Sequence, residues 1–208
     1  MGVITKGGML AALPVREGDL CLRAWTRQDV DLLAAWPPYP FPYGPFRLSF
    51  GSATPVRRNE VYIKRNLSPN RIVLVGDVGE ARAVIYLTFV EIDWEHRVIG
   101  NMGFRVHPDW CDRGVGVRAM RLVSDWCFVN RMESIRFDVA ASNARAIRCY
   151  EKAGYRIVGE HWREDPHFTD IDIHSTTFDF LRPHVRIERE GTLTLRFYWM
   201  ERKRGEEG

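Results

Sequence analysis

The chain has 208 residues and a mass of 24.2 kDa, which suits one domain rather than two. Hydrophobic residues make up 45% and charged residues 27%, a composition typical of globular proteins, and this excludes a disordered or collagen-like chain. Thirty basic and 27 acidic residues leave a net charge of only +3. Such a mild excess gives no reason to expect nucleic acid as a partner, although it is compatible with an anionic ligand.

The sequence carries no signal for a membrane or for an oxidising compartment. No window reaches the 18 or more apolar residues that a membrane-spanning helix requires. Residues 1–18 lack the apolar core of a signal peptide, and we expect them to form a loose terminus. There is no CxxC pair, so free thiols in a reducing cytoplasm are expected at the four cysteines, Cys21, Cys111, Cys127 and Cys149.

The first elements in chain order are a strand, a helix and an aromatic loop. Residues 20–25 alternate like a strand, and Thr26 then predicts the cap of a helix that must end at Trp36, before two prolines. The loop at 37–46 is rich in proline, tyrosine and phenylalanine. It is either a packed surface loop or the wall of a substrate pocket, because such loops often carry specificity.

The rest of the chain predicts a mixed sheet with helices on its faces. Alternating and β-branched runs predict strands at 71–78, 81–93, 98–106, 134–140, 156–162 and 192–202. Helical spacing of apolar residues predicts helices at 56–67, 113–130 and 143–154. The runs on either side of Gly191 are expected to pair as a hairpin. The acids and histidines of residues 163–190 have no recognised ligand spacing, so no metal site is expected there.

The most informative run lies between residues 106 and 119, where a strand ends and a glycine-bearing turn opens a helix. A helix N-terminus offers unpaired N–H groups, and Gly114 and Gly116 let an anion approach the backbone. The run also fits the dinucleotide pattern GxGxxA, with Asp138 near the position of its ribose-binding acid. Against this, seven residues separate the strand from the first glycine. An ordinary helix start is a further alternative.

This run resembles the acyl-CoA signature of the GNAT superfamily of N-acetyltransferases, since Pro108, Arg113 and Gly116 match its turn. The second motif of that family, Asn-x-x-Ala-x-x-x-Tyr-x-x-x-Gly-Phe, is matched downstream with tyrosine in place of the last phenylalanine, at Asn143, Ala146, Tyr150, Gly154 and Tyr155. The resemblance covers about residues 20–162 and the last strand. It is closest in style to the branch that acetylates ribosomal-protein N-termini and small amines.

The resemblance implies a single mixed α/β domain over residues 1–208, with 163–190 as a family-variable insertion before the last strand. Its central sheet would be twisted, mostly antiparallel and splayed at the cofactor site, with helices on both faces. The implied cofactor is acetyl-CoA. The implied cofactor-binding residues are Phe104, Val106, Arg113, Gly114, Val115, Gly116, Val117, Arg118, Asn143 and Tyr150.

The resemblance also implies catalytic roles for Tyr150, beside the departing thiolate, and Asp138, as the base that deprotonates the amine. Glu91, Glu160 and bulk water are the alternatives for the base. Arg118 departs from the family, which has a small residue there, and we expect its guanidinium to fold over the pyrophosphate and pair with it.

The implied acceptor is a protein N-terminus or a small cationic amine, and the acetyl group would pass to it by direct attack in a ternary complex. The sequence allows a homodimer and expects no membrane partner. Two rival functions stay open. One is a non-catalytic acyl-CoA-binding or regulatory domain, and the other is a nicotinamide-dependent oxidoreductase.

Overall fold

In the computed structural model, which describes residues 4–43, 53–165, 175–188 and 192–206, the chain forms one mixed sheet flanked by helices. The strands are β1 (Val15–Glu17), β2 (Leu20–Ala24), β3 (Ile72–Val78), β4 (Ala81–Asp93), β5 (Val98–Val106), β6 (Ser134–Ala140), β7 (Arg156–Arg163), β8 (Val185–Ile187) and β9 (Leu193–Lys203). The helices are α1 (Lys6–Ala11), α2 (Arg27–Ala34), α3 (Pro55–Leu67), α4 (Val115–Val129) and α5 (Ala144–Lys152). The predicted elements lie where they were expected, with ends that differ by a few residues.

The sheet order is β1-β2-β3-β4-β5-β6-β9-β7, and β8 pairs with β9. Every pairing is antiparallel except that of β5 with β6. This parallel pairing holds only at Val98 with Ser134 and at Ile99 with Ile135. Beyond these two pairs the strands diverge, so the sheet is splayed in its middle, as the resemblance implied. The splay opens a cleft between two sheet edges.

Two apolar cores cover the two faces of the sheet. The larger core lies under α1, α4 and α5, where Met9, Val123 and Tyr155 are buried against the strands. The smaller core lies on the opposite face under α2 and α3, around Trp25 and Tyr86. Because β3 is covered on both faces, all seven of its residues are buried. The helices therefore sit on both faces of the sheet.

Capping chemistry sets the starts of α2 and α5. The carboxylate of Asp29 accepts the backbone N–H of Thr26 at 2.7 Å, which satisfies a donor at the start of α2. Asn143 accepts the N–H of Ala146 at 3.1 Å and so caps α5. Gly154, with φ of +89°, follows the end of that helix in the left-handed conformation that glycine adopts without strain.

The N-terminal residues differ from expectation, because residues 4–18 are not a loose terminus. They form α1 and the edge strand β1. Met9 is 1% exposed in the larger core, and Lys6 donates to the backbone carbonyls of Asn66 and Ser68. A single buried methionine and one lysine hold this segment, so its short apolar run gave little periodicity from which to predict it.

The C-terminal hairpin is present, with β8 antiparallel to residues 193–195 of β9. Outside the described residues lie Gly191, residues 44–46 of the aromatic loop and residues 166–174 of the expected insertion. The helices of the described chain include none long and apolar enough to cross a membrane.

Candidate active site

The splay between β5 and β6 opens onto a cavity of about 520 Å³, a size typical of ligand sites. Its walls come from β5, the start of α4, β6, α5 and the aromatic loop. Of the residues predicted for the site, those that line it are Phe104, Val106, Gly114, Gly116, Val117, Asp138, Asn143 and Tyr150. The sheet geometry thus brings side chains from separate parts of the sequence to one cleft.

The edge of β5 presents backbone groups to this cleft. The carbonyl of Val106 accepts the Tyr39 hydroxyl at 2.6 Å, and that of Phe104 accepts the Arg105 guanidinium at 2.8 Å. The N–H of His107, in contrast, donates to Val84 of β4. Since the N–H and C=O of one residue point to the same side of an antiparallel strand, the N–H groups of Phe104 and Val106 face the cleft.

The start of α4 has the open backbone N–H groups that the predicted anion cradle requires. Gly114 is the N-cap, with φ of +77°, and the first N–H groups of the helix, at residues 115–117, have no partner within it. A Cβ on Gly116 would lie 3.1 Å from Sγ of Cys149, tighter than ordinary packing allows. Any larger residue here would require Cys149 to shift by a few tenths of an ångström, and glycine avoids this contact.

Tyr150 lies at the bottom of the cleft, where β5 and β6 part. Its ring contacts Phe104 at 6.3 Å and Phe137 at 4.7 Å, and the residue is 6% exposed. Burial raises the pKa of its hydroxyl well above the ordinary value. The hydroxyl is therefore protonated at every physiological pH and can act as a donor.

Asp138 is the carboxylate among the predicted bases that lines the cleft. Its Oδ2 lies 3.0 Å from Nε of Arg163 and 3.2 Å from Nε2 of His161. Glu160 is paired instead with Arg196, at 2.8 Å from its Nε, and Glu91 is exposed at a left-handed position of β4. Neither of these two glutamates is part of the cleft wall.

The side chain of Arg118 is a correction to the prediction from sequence. It does not fold over the cradle but donates to the carboxylate of Asp19 and the carbonyl of Glu17, both at 2.7 Å. The pKa of Asp19 is lowered, first by this hydrogen bond. The backbone N–H of Arg118 bonds to the carbonyl of Gly114, so it closes the first helical turn instead of facing the cleft.

Two more predicted residues place their side chains outside the cleft wall. Val115 is buried in the larger core, so only its backbone belongs to the cradle. The Arg113 guanidinium lies 5.8 Å from the ring centroid of Trp110. This stack holds the guanidinium against the loop that precedes α4, a place that the motif alone does not specify.

Cys149 precedes Tyr150 on α5, and both residues line the cleft. Adjacent residues of a helix point about 100° apart. Cys149 therefore faces α4 while Tyr150 faces the strands, and the cleft reaches both side chains. Burial raises the pKa of the Cys149 thiol to about 11, so it is protonated and a poor nucleophile.

The aromatic loop forms part of the pocket wall through Tyr39, which is 8% exposed. The guanidinium of Arg145 lies 5.5 Å from the ring centroid of Tyr39 and 3.8 Å from that of Tyr43. Together with Arg148 and Lys152, Arg145 places a row of cations on the cleft side of α5. The three-and-four spacing of this row was visible in the sequence, but its direction was not.

A splayed sheet, an open helix N-terminus and a buried tyrosine meet in one cleft, which is the arrangement that the resemblance to the GNAT superfamily implied. A sequence model of the acetyltransferase (GNAT) family matches residues 29–155. The chain belongs to this family. No curated protein matches the sequence.

Solved structures with the same fold include a spermidine N-acetyltransferase from Vibrio cholerae in complex with CoA and spermine. The two chains share 16% identity with a TM-score of 0.64, over 90% of this chain and 97% of the other. A dodecameric form of spermidine N-acetyltransferase from the same organism gives a TM-score of 0.60 at 16% identity, over 90% and 95% of the chains. At this identity the likeness shows the fold alone. The parts of this chain that the structure describes contain no cluster of three or more metal-ligating side chains.

Proposed function

We propose that the protein is a cytoplasmic acetyl-CoA-dependent N-acetyltransferase that acts on a primary amine by direct attack in a ternary complex. The observation that carries the proposal is the convergence of three features on one cleft. The helix N-terminus at Gly114–Val117 suits an anionic pyrophosphate, the β5 edge suits an extended amide chain, and Tyr150 suits a departing sulfur.

The residues present fit coenzyme A well. The N–H groups at the start of α4 would hold the pyrophosphate, with cations of α5 nearby, and the β5 edge at Phe104 and Val106 would pair with the pantetheine amides. Asn143 caps α5 at the mouth of the cleft and would touch the same arm. When bound, acetyl-CoA supplies the activated acetyl thioester.

The protein's own groups would manage the protons. An ammonium has no lone pair, so Asp138 accepts a proton from the acceptor amine. The N–H groups of the β5 edge stabilise the negative charge that develops on the acetyl oxygen. Tyr150 donates its proton to the sulfur as the carbon–sulfur bond breaks. The proton that nitrogen loses on forming the amide restores Tyr150, and one proton per turnover leaves through Asp138.

The acceptor is a protein N-terminus or a small cationic amine. Spermine is bound by the Vibrio cholerae neighbour, which supports the small amine. The ribosomal-protein branch, suggested by the motifs, supports the N-terminus.

On the acceptor side both cleft carboxylates, Asp138 and Asp165, lie within 4 Å of the Arg163 guanidinium, at 3.0 and 3.7 Å. Because one guanidinium faces two carboxylates, these three groups together carry one net negative charge, which suits a singly charged amine better than a polycation. A homodimer stays a prediction.

The test combines binding and turnover. Acetyl-CoA should raise the melting temperature, because a ligand that binds only the folded state stabilises it. Release of free CoA is then followed with spermidine and with a short peptide that has a free N-terminus. Stabilisation without CoA release from any amine would favour the non-catalytic domain. Absence of a thermal shift with acetyl-CoA would contradict the proposal, and binding of reduced nicotinamide would favour the oxidoreductase.

A further inference from the structure

Asp138 is held from one side only, and this asymmetry extends the proposed function, on which the inference rests. Nε of Arg163 donates to Oδ2 at 3.0 Å, and Nε2 of His161 lies 3.2 Å from the same oxygen. Among the described residues, Oδ1 has no protein partner. Since Asp138 lines the cleft, the oxygen without a partner is the one available to a ligand.

The partners of Asp138 fix the proton on His161. The guanidinium of Arg163 stabilises an ionised carboxylate, and a carboxylate oxygen only accepts hydrogen bonds. The Nε2 atom of His161 lies 3.2 Å from Oδ2 and would meet it lone pair to lone pair if it carried no proton, so this contact favours the proton on Nε2. In the neutral imidazole with its proton on Nε2, the other nitrogen, Nδ1, carries the lone pair.

Two observations describe the surroundings of this imidazole. Its ring is stacked on Trp199 at 4.6 Å and lies 5.7 Å from Phe197. Its Nδ1 is buried without a hydrogen-bond partner among the described residues. Packing alone would be met by phenylalanine, whereas histidine also places its Nε2 against Oδ2 of Asp138.

We infer that His161 is a positioning residue. With Arg163 it holds Oδ2 of Asp138, and this directs Oδ1 into the cleft as the proton acceptor for the amine. In that step an N–H bond of the ammonium breaks, its proton goes to Oδ1, and the electron pair stays on nitrogen for attack. Asp138 then passes the proton to solvent. The other charged groups nearby are Asp165, beside Arg163, and Arg136, whose guanidinium lies over Trp199.

The test compares His161→Phe with His161→Gln. Phenylalanine keeps the stack on Trp199 but removes the donor, whereas glutamine can return an N–H near the position of Nε2. With the amine that gives the fastest CoA release, His161→Phe should lower kcat about tenfold, because small displacements of a catalytic group are costly. The shape of its kcat/KM profile against pH should change as well, because a merely structural role of His161 would lower the rate at every pH alike. His161→Gln should restore both.

Two controls separate positioning from folding. His184 also has a buried Nδ1 without a partner but does not touch Asp138, so His184→Phe should leave kcat and the pH profile unchanged. In an Asp138→Asn background, His161→Phe should have no further effect on kcat, because residues that act through one group are not additive. Proton–nitrogen NMR spectra of the wild-type protein should show the neutral Nε2–H tautomer of His161.

Wild-type kcat and pH profile in His161→Phe would overturn the inference, as would a further loss in the double variant or a charged imidazole at neutral pH. A normal rate in Asp138→Asn would overturn it as well, because the residue through which His161 acts would then have no part in turnover. In each of these cases amine-dependent CoA release by the wild-type protein would leave the proposed function intact.

Discussion

The two sides of the cleft are built in different ways. On the proposed cofactor side, the wall comes from the start of α4, whose first N–H groups have no partner within the helix, from the edge of β5 and from α5. On the acceptor side, the wall consists of side chains from a loop and from the strands beside the splay, such as Tyr39, Asp138 and Arg163. The first side needs particular glycines and caps, whereas the second needs particular long side chains.

This difference explains why the residues proposed for the cofactor side can be predicted from the sequence. Gly114, Gly116 and Asn143 have local reasons to be where they are, namely a left-handed turn, a close approach and a helix cap. The pairing of Asp138 with His161 and Arg163 joins residues 23 and 25 positions apart through the β6-β9-β7 order. No local pattern predicts such a contact, because it depends on register between strands.

The sharpest test of the cofactor side is Tyr150→Phe. Loss of the donor beside the sulfur should lower kcat about a hundredfold and leave the Kd of acetyl-CoA nearly unchanged. Because burial raises the pKa of this hydroxyl, the wild-type rate should show no basic limb from Tyr150 as pH approaches the ordinary tyrosine value of about 10. Stopped-flow CoA release and isothermal titration calorimetry measure the two quantities.

The control for this variant is Tyr155→Phe. Tyr155 is equally buried in the same aromatic cluster, but its hydroxyl bonds to Ser124 at 2.8 Å outside the cleft. This change should lower stability and leave kcat as it is. Equal losses of kcat in both variants would mean that Tyr150 acts only through packing.

A smaller effect is expected from Gly116→Val, which tests whether the cradle depends on an absent side chain. A Cβ here would press on Cys149, and overpacking of a tight site costs about 1–3 kcal/mol. Relief of this contact displaces the start of α4, so its N–H groups no longer face the anion and the Kd of acetyl-CoA should rise about tenfold to a hundredfold. The matched change Gly7→Val, where a Cβ meets no atom within 4 Å, should leave Kd alone. Unchanged binding in Gly116→Val would contradict the cradle.

The two sides meet at Tyr39, whose hydroxyl donates to the Val106 carbonyl. Burial raises the pKa of Tyr39 to about 12, so the donor stays protonated across the working range. Tyr39→Phe should lower the free energy of unfolding by about 1 kcal/mol, the usual loss for one buried hydrogen bond. In differential scanning calorimetry this corresponds to about 2–4 °C. Tyr43→Phe keeps the ring beneath Arg145 and should change nothing; a similar loss there would show that the hydroxyl of Tyr39 has no special part.

The fold was largely predictable, since strong alternation and helical spacing mark most of its elements, and the two motifs place the splay. The predictions that were wrong concern residues that are held by a few long-range contacts. The N-terminal segment is fixed by Met9 and Lys6, and Arg118 is turned aside by Asp19, on a turn about a hundred residues earlier in the chain. In the motif alone, an arginine beside a phosphate site suggests a contact with the ligand. Only the fold reveals that the carboxylate of Asp19 competes for the Arg118 guanidinium.

Arg118→Gln should therefore have the smallest effect, and this makes it informative. Its guanidinium pairs with exposed acids across the turn between β1 and β2, a kind of pair that contributes little to stability in water. The Kd of acetyl-CoA should stay within about twofold of the wild-type value, because an exposed pair of this kind has little energy to lose. A tenfold weaker Kd at low salt that disappears at high salt would show instead that Arg118 leaves Asp19 for the phosphates when the cofactor binds. The cofactor side would then need side-chain charge as well as backbone N–H groups, and the contrast between the two sides would narrow.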